Sequence, residues 1–288
     1  MASMRQIRSR IRVAKNIQQI TKAMKLVAAA RLRRAQERVV AARPYATSLR
    51  AVMQSVASSA GNVRHPLLRK PEGPPQKIGV LLVSGDRGLC GSFNTNSIRR
   101  GTETVRGFSP EQVKMVCVGK RGATFFRRRG YEVVAEYGVP ATGASFAEAQ
   151  AIANVARKLF EDGEVDALYL VYTRFLSAMT QRPETVQLFP LDTSASDTAT
   201  GPTAAIEFEP SAEEILETLL PRYVDTLVYQ ALVESTASFF GAQMTSMSSA
   251  TDNAGKMIST LTLSLNRARQ ANITKEISEI VGGADALK

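Results

Sequence analysis

The loop "SGDRGLCGSFN" (84–94) holds an acid, a thiol and three glycines, the densest concentration of chemical groups in the chain. It follows an apolar run and precedes a helical pattern, the setting in which exposed backbone N–H groups cradle phosphate. Gly85, Gly88 and Gly91, however, do not fit G-x-G-x-x-G, and no G-K-[ST] follows. The spacing reads better as a tight strand-to-helix turn. Cys90 could act as a nucleophile only if a neighbour stabilised its thiolate, and no base stands near it in the sequence. Cys90 and Cys117 are the only cysteines and His65 the only histidine, so neither a disulfide framework nor a metal-ligand set is expected. His65, in "NVRHPLL", reads as a solvated loop residue. Asp86 has no second carboxylate beside it for acid–base work. No catalytic residue, cofactor or metal is expected.

What remains to be explained is charge. Residues 1–43 carry twelve Lys or Arg and a single acid, Glu37; the other residues hold 25 basic and 25 acidic groups, so the net charge of +11 belongs to this one segment. The elements around it set what it can touch. Residues 3–59 read as one long helix, which Pro44 should kink or break. Within it Val13, Ile17, Ile20, Met24 and Val27 alternate spacings of four and three, a coiled-coil seam. A Gly/Pro-rich stretch (60–76) follows and reads as a linker.

From 77 the pattern changes. "KIGVLLVSG", "VKMVCVG", "YEVVAEYG" and "DALYLVYTRF" have strand length, "ETVQLFPL" adds a fifth candidate, and helical patterns lie near 91–106, 119–129 and 145–162. The alternation predicts an α/β domain over 77–209 with a largely parallel sheet. "DTSASDTATGPTAA" (192–205) reads as a poorly ordered loop. "PSAEEILETLLP" predicts a short helix capped by Ser211, Pro221 should open a new helix, and Gly282 and Gly283 should stop it. Ala254, Ile258, Leu261, Leu265 and Ala268 repeat the four–three spacing. Three segments result: a helix over 1–60, the α/β domain over 77–209, and a helical segment over 210–288. The expected fold is a long antiparallel coiled coil of the two terminal helices around a central Rossmann-like α/β domain.

The basic helix admits four other uses. A transit peptide is amphipathic and acid-poor, but cleavage would remove half of the pairing surface. Nucleic-acid binding fits the charge, yet no groove-reading motif is present. A membrane-surface helix would want bulky apolar anchors. A merely solvated face does not account for the lack of acids. The reading that fits best is an outward face that meets an acidic protein surface. No apolar run reaches the roughly 18 residues of a membrane span.

Three blocks carry a resemblance: "RIRVAKNIQQITKAMKLVAAARL" (10–32), "SGDRGLCGSFN", and the end, "ATDNA" (250–254) with "LNRARQANITKEISEIVGGADAL" (265–287). In order and over nearly the whole chain, they resemble the gamma subunit of F-type ATP synthases. The resemblance implies a rotor shaft that stands inside a ring of alpha and beta subunits. Its central domain would sit with epsilon on the ring of c subunits, and the chain would touch the membrane through the complex only. It implies a peripheral place on the cytoplasmic face of a bacterial inner membrane, since the family pattern begins within ten residues of Met1. Arg33 and Arg34 on the basic helix and Arg269, Gln270 and Thr274 in "ARQANIT" are the implied contacts to beta. The family's Ser-Glu-x-Ala-Ala/Ser-Arg-Met is replaced by "FFGAQM" (239–244), with Phe239 in the Glu position and Gln243 in the Arg position. The cysteine pair of the light-regulated chloroplast form is missing, so thiol control is not expected. The rival classes are a structural coiled-coil adaptor with no part in energy coupling and an enzyme built on the α/β domain.

Overall fold

The computed structural model describes residues 4–59, 65–69, 73–139, 143–191 and 212–285. Two long helices, α1 (Met4–Ser59) and α5 (Ala212–Asp285), bracket an α/β domain of β1 (Ile78–Val83), α2 (Phe93–Thr104), β2 (Val113–Val118), α3 (Lys120–Arg127), β3 (Glu132–Tyr137), α4 (Phe146–Glu161), β4 (Ala167–Phe175) and β5 (Gln181–Phe189). All five expected strands and the three helices between them are present.

The sheet runs β3-β2-β1-β4-β5, with β1 to β4 parallel and β5 antiparallel at one edge. Strand β1 is apolar along its whole length because both its faces are covered. Leu81 and Val83 pack into a core with α4 and α5, while Ile78, Val80 and Leu82 pack on the other side with Phe126 of α3. Helix α4 starts on a capping box: Ser145 Oγ accepts from the Glu148 N–H (3.2 Å), and the Glu148 carboxylate accepts from the Ser145 N–H (2.8 Å).

Between β2 and α3 the chain turns at Gly119, whose φ is +97°, and a Cβ there would lie 2.4 Å from the Ser84 carbonyl oxygen. Both the backbone conformation and the space exclude a side chain. Gly119→Ala is therefore expected to cost about 3 kcal/mol or more, read as a lowered denaturation midpoint at unchanged slope.

The chain divides into two compact units, one formed by residues 1–28 and 244–288 and the other by 29–243. In the first, the Thr251 hydroxyl donates to Thr21 Oγ1 (2.8 Å), Lys25 Nζ donates to Ser248 Oγ (3.0 Å), and a Cβ on Gly255 would meet Gln18 Nε2. Partner numbers rise as those on α1 fall, so the helices run antiparallel. In the second unit Arg31 lies over the Phe240 ring and Arg43 meets Glu234, in the same sense.

The N-terminal seam differs from expectation. Val13, Ile17, Ile20 and Val27 are about half exposed, and Met24 is only partly shielded. The buried line is one residue over: Ile7, Ala14, Thr21 and Ala28, continuing in the second unit through Leu32, Ala35, Val39, Ala46, Leu49, Met53 and Val56. Over residues 14–28 the inside positions are small, Ala14, Thr21 and Ala28, and the bulkier Val13, Ile17, Ile20 and Val27 lie outside. On α5, Ala254 is buried and Ile258, Leu261, Leu265 and Ala268 are half-buried.

The expected helix breakers do not break. Helix α1 runs through Pro44 and α5 through Pro221. Each proline faces a carbonyl four residues back, on Val40 or Glu217, and both of those residues are exposed, so water can satisfy the lost bond. Gly282 and Gly283 also lie inside α5; glycine weakens a helix without blocking it. Ser211 and the 192–205 loop lie outside the described residues.

Candidate partner-binding surface

The loop at 84–94 is a clasp. One Asp86 oxygen accepts the Lys120 N–H at the start of α3, and the other accepts the Val139 N–H just past β3, both at 2.9 Å. Asn94 Oδ1 accepts the Gly85 N–H (2.8 Å), and its amide donates to the Arg87 carbonyl (2.9 Å). The acid is thus spent on holding three turns together. Burial pushes the Cys90 thiol up and the Cys117 thiol up to about 12, so neither offers a thiolate at neutral pH. His65 is not simply solvated: its Nδ1 accepts the Leu67 N–H (3.1 Å) and caps a 3₁₀ turn, Pro66–Leu68. Burial lowers its pKa.

Phe239, in the place where a Glu was expected from the resemblance, packs on this clasp. Its ring meets Phe93 edge-on at 5.5 Å, and a Cβ on Gly85 would lie 3.0 Å from it. Phe239 is half-buried and lines a cavity shared with Phe93, Phe240, Arg31 and Arg87. In the sequence the one sign of this packing is the departure from the family motif at Phe239.

The outward surfaces lie on the long helices. Arg33 and Arg34 are exposed, and Arg33 pairs with Glu37 one turn on (3.5 Å), a contact worth ~0.3–0.5 kcal/mol that a partner could easily displace. In the other unit, the antiparallel register places Met4 opposite residues 268 and 269. Beyond that point α5 continues past the described start of α1. Residues 269–282 are accordingly all exposed.

Arg269, Gln270 and Thr274 fall on this stretch. The Thr274 hydroxyl donates back to the Gln270 carbonyl (3.0 Å), which leaves its oxygen as an acceptor on the face it shares with Gln270. Around them stand large exposed apolar side chains: Ile273 at 48%, Ile277 at 56%, Ile280 at 72% and Val281 at 56%. Apolar residues this concentrated at a helix end are unfavourable in water and mark a surface meant to be covered.

A helix end exposed on every side over residues 269–282, rich in isoleucines and threaded with polar side chains, offers a surface to another chain. The comparisons agree. The ATP synthase family profile matches residues 3–287. The chain is 50% identical over its full length, and that of the relative, to the ATP synthase gamma chain of Desulfitobacterium hafniense. It is 48% identical, again over both full lengths, to the gamma chain of Heliobacterium modesticaldum. Among solved structures, a chain of the Euglena gracilis mitochondrial ATP synthase, in an assembly of OSCP, F1 and c-ring, matches with a TM-score of 0.67 at 18% identity, covering 99% of this chain and 94% of that one. A chain from the central stalk and c-ring of the Tetrahymena thermophila enzyme matches at 0.62 and 22%, covering 80% and 99%. At these identities the structural likeness speaks to the fold. The chain belongs to the gamma-chain family of F-type ATP synthases, the rotor subunit of the central stalk.

Proposed function

We propose that the chain acts as the non-catalytic shaft of a bacterial enzyme, with its helix pair inside a ring of alpha and beta subunits. The α/β domain sits with epsilon on the c-subunit ring, at the cytoplasmic face of the inner membrane. Proton flow turns the domain, and the asymmetric shaft then drives the catalytic sites of beta through their conformations in turn. The observation that carries this reading is the C-terminal end of α5, exposed on every side and lined with isoleucines. A sleeve of surrounding subunits would cover those side chains while letting the helix turn, because apolar contacts have no fixed direction. Among the described residues no helix is long and apolar enough to cross a membrane.

The basic face of α1 has a different task. Twelve cations with one acid among them attract the acidic loops that beta presents, and they keep the shaft from binding basic surfaces. Arg33 and Arg34 are the contacts to test. Reversing both to Glu in the assembled complex should weaken coupled ATP hydrolysis. The defect should deepen at low salt, where unscreened repulsion reaches beyond the ~8 Å range it has at physiological ionic strength. ATP hydrolysis measured across a salt series checks this. Unchanged coupling with unchanged salt dependence would rule out an acidic partner for this face.

A further inference from the structure

Strand β4 is longer than its neighbour. Leu82 of β1 is in register with Val171, the last β4 residue that β1 pairs, whereas β5 pairs β4 on its other edge as far as Phe175. Residues 172–175 of β4 therefore project beyond β1, with one edge uncovered by any strand. Thr173 and Phe175, two residues apart, turn their backbone groups to the same edge. Left dry and unpaired, such groups are strongly disfavoured.

Side chains of the long helices take the missing strand's place. Ser235 Oγ accepts the Thr173 N–H (3.1 Å), and the Ser238 hydroxyl donates to the Thr173 carbonyl (3.1 Å). A Glu234 oxygen accepts the Phe175 N–H (3.2 Å), and the Arg43 guanidinium donates to the Phe175 carbonyl (2.9 Å). Arg43 also faces the Glu234 carboxylate at 3.6 Å, and Gln230 donates to the other Glu234 oxygen (3.2 Å). Glu234, Ser235 and Ser238 are at most 3% exposed. A carboxylate is expensive to bury, so its place here must be held by these partners. Both backbone groups of both strand residues are thus bonded to helix side chains, in the plane of the sheet.

We infer that this weld, made by Glu234, Ser235 and Ser238 of α5 with Arg43 of α1, is where torque passes between the α/β domain and the shaft helices. The inference rests on the rotor reading above. Helix and sheet also share an apolar core that includes Val228, Ala231 and Leu232, but apolar packing resists separation better than sliding, because it has no fixed direction. Hydrogen bonds to a strand backbone are directional and lose their geometry within a fraction of an ångström. Three of them from α5 fix its rotation and axial position against the sheet, and the fourth, from Arg43, ties α1 to the same strand end. The weld residues are positioning residues: none of them touches nucleotide.

The test uses the complete complex in closed vesicles, with ATP hydrolysis and ATP-driven proton pumping measured on the same preparation. The unmodified complex is measured first. If it hydrolyses ATP and never pumps, the rotor reading itself fails, whatever the weld does. Ser235→Ala/Ser238→Ala leaves the apolar core and the buried charge pair intact. Hydrolysis is expected to stay within about twofold of the unmodified enzyme, while protons pumped per ATP fall about fivefold, the order that unpaired buried backbone groups impose on a balance between docked and slipped states. Glu234→Gln keeps an acceptor for the Phe175 N–H and should give a smaller fall. A pumping-to-hydrolysis ratio unchanged in the double variant would overturn the proposal. So would a loss of pumping matched by an equal loss of hydrolysis or of assembled complex, since the weld would then serve folding alone.

Discussion

Ala28→Asp is expected to destabilise the helix pair by about 3 kcal/mol or more and to block assembly, whereas Val27→Asp, one residue away, should cost under about 1 kcal/mol. Ala28 is 1% exposed and Val27 is 53% exposed. At position 28 the new carboxylate would be buried between the helices, and Lys25, one turn away, is already engaged with Ser248 across the pair. At 27 the carboxylate would stay in water. The penalty arises because a charge withdrawn from water must find a partner or be neutralised. Thermal or denaturant unfolding of the two variants decides the register. Equal losses, or a larger loss at Val27, would restore the seam read from the sequence and contradict the structure. If the exposed face of α1 meets surrounding subunits as proposed, Val27→Asp should still impair the assembled enzyme.

The polar cluster on the projecting end of α5 should yield the second large effect. Gln270→Leu/Thr274→Val keeps size and helicity while removing a donor and two acceptors from one face. Thr274 already gives its proton to the Gln270 carbonyl, so what the partner loses at this position is an acceptor; at Gln270 it loses both an acceptor and a donor. Assembly should be normal, because both residues are exposed and support no packing. Multisite ATP hydrolysis should slow about fivefold to tenfold, as expected when one or two net hydrogen bonds are missing at the rate-limiting configuration. Arg269 beside them should show the same trend on replacement by Met. A double variant with full turnover and full pumping would remove this cluster from torque transfer and leave the shaft's bulk to carry it.

Where the sequence was readable, the reason is physical. Strands β1, β2 and β4 are covered on both faces, so their apolar runs stand out against any background. The Ser145–Glu148 box that starts α4 is local chemistry, seen only once the structure shows both of its hydrogen bonds. The inner line of α1 was not readable in the same way. Hydrophobic size pointed to Val13, Ile17 and Ile20, but close helix packing selects Ala14, Thr21 and Ala28, and Thr21 is tolerated because Thr251 satisfies it. Size instead marked the exposed face of α1. Pro44 and Pro221 could not be read as harmless without knowing that the carbonyls they orphan face water. The weld was hidden for a related reason. Glu234, Ser235 and Ser238 look like an ordinary polar helix face until the overhang of β4 supplies the groups they bond.

The central claim, that this chain is the element whose rotation links the catalytic ring to the proton path, is tested most directly by reconstitution. Alpha and beta subunits are combined with and without the chain, and ATP hydrolysis is followed under identical conditions. The account predicts slow turnover from alpha and beta alone, a large rise in multisite hydrolysis when the chain is added, and no hydrolysis by the chain by itself. Identical turnover with and without the chain, or hydrolysis by the chain alone, would contradict it.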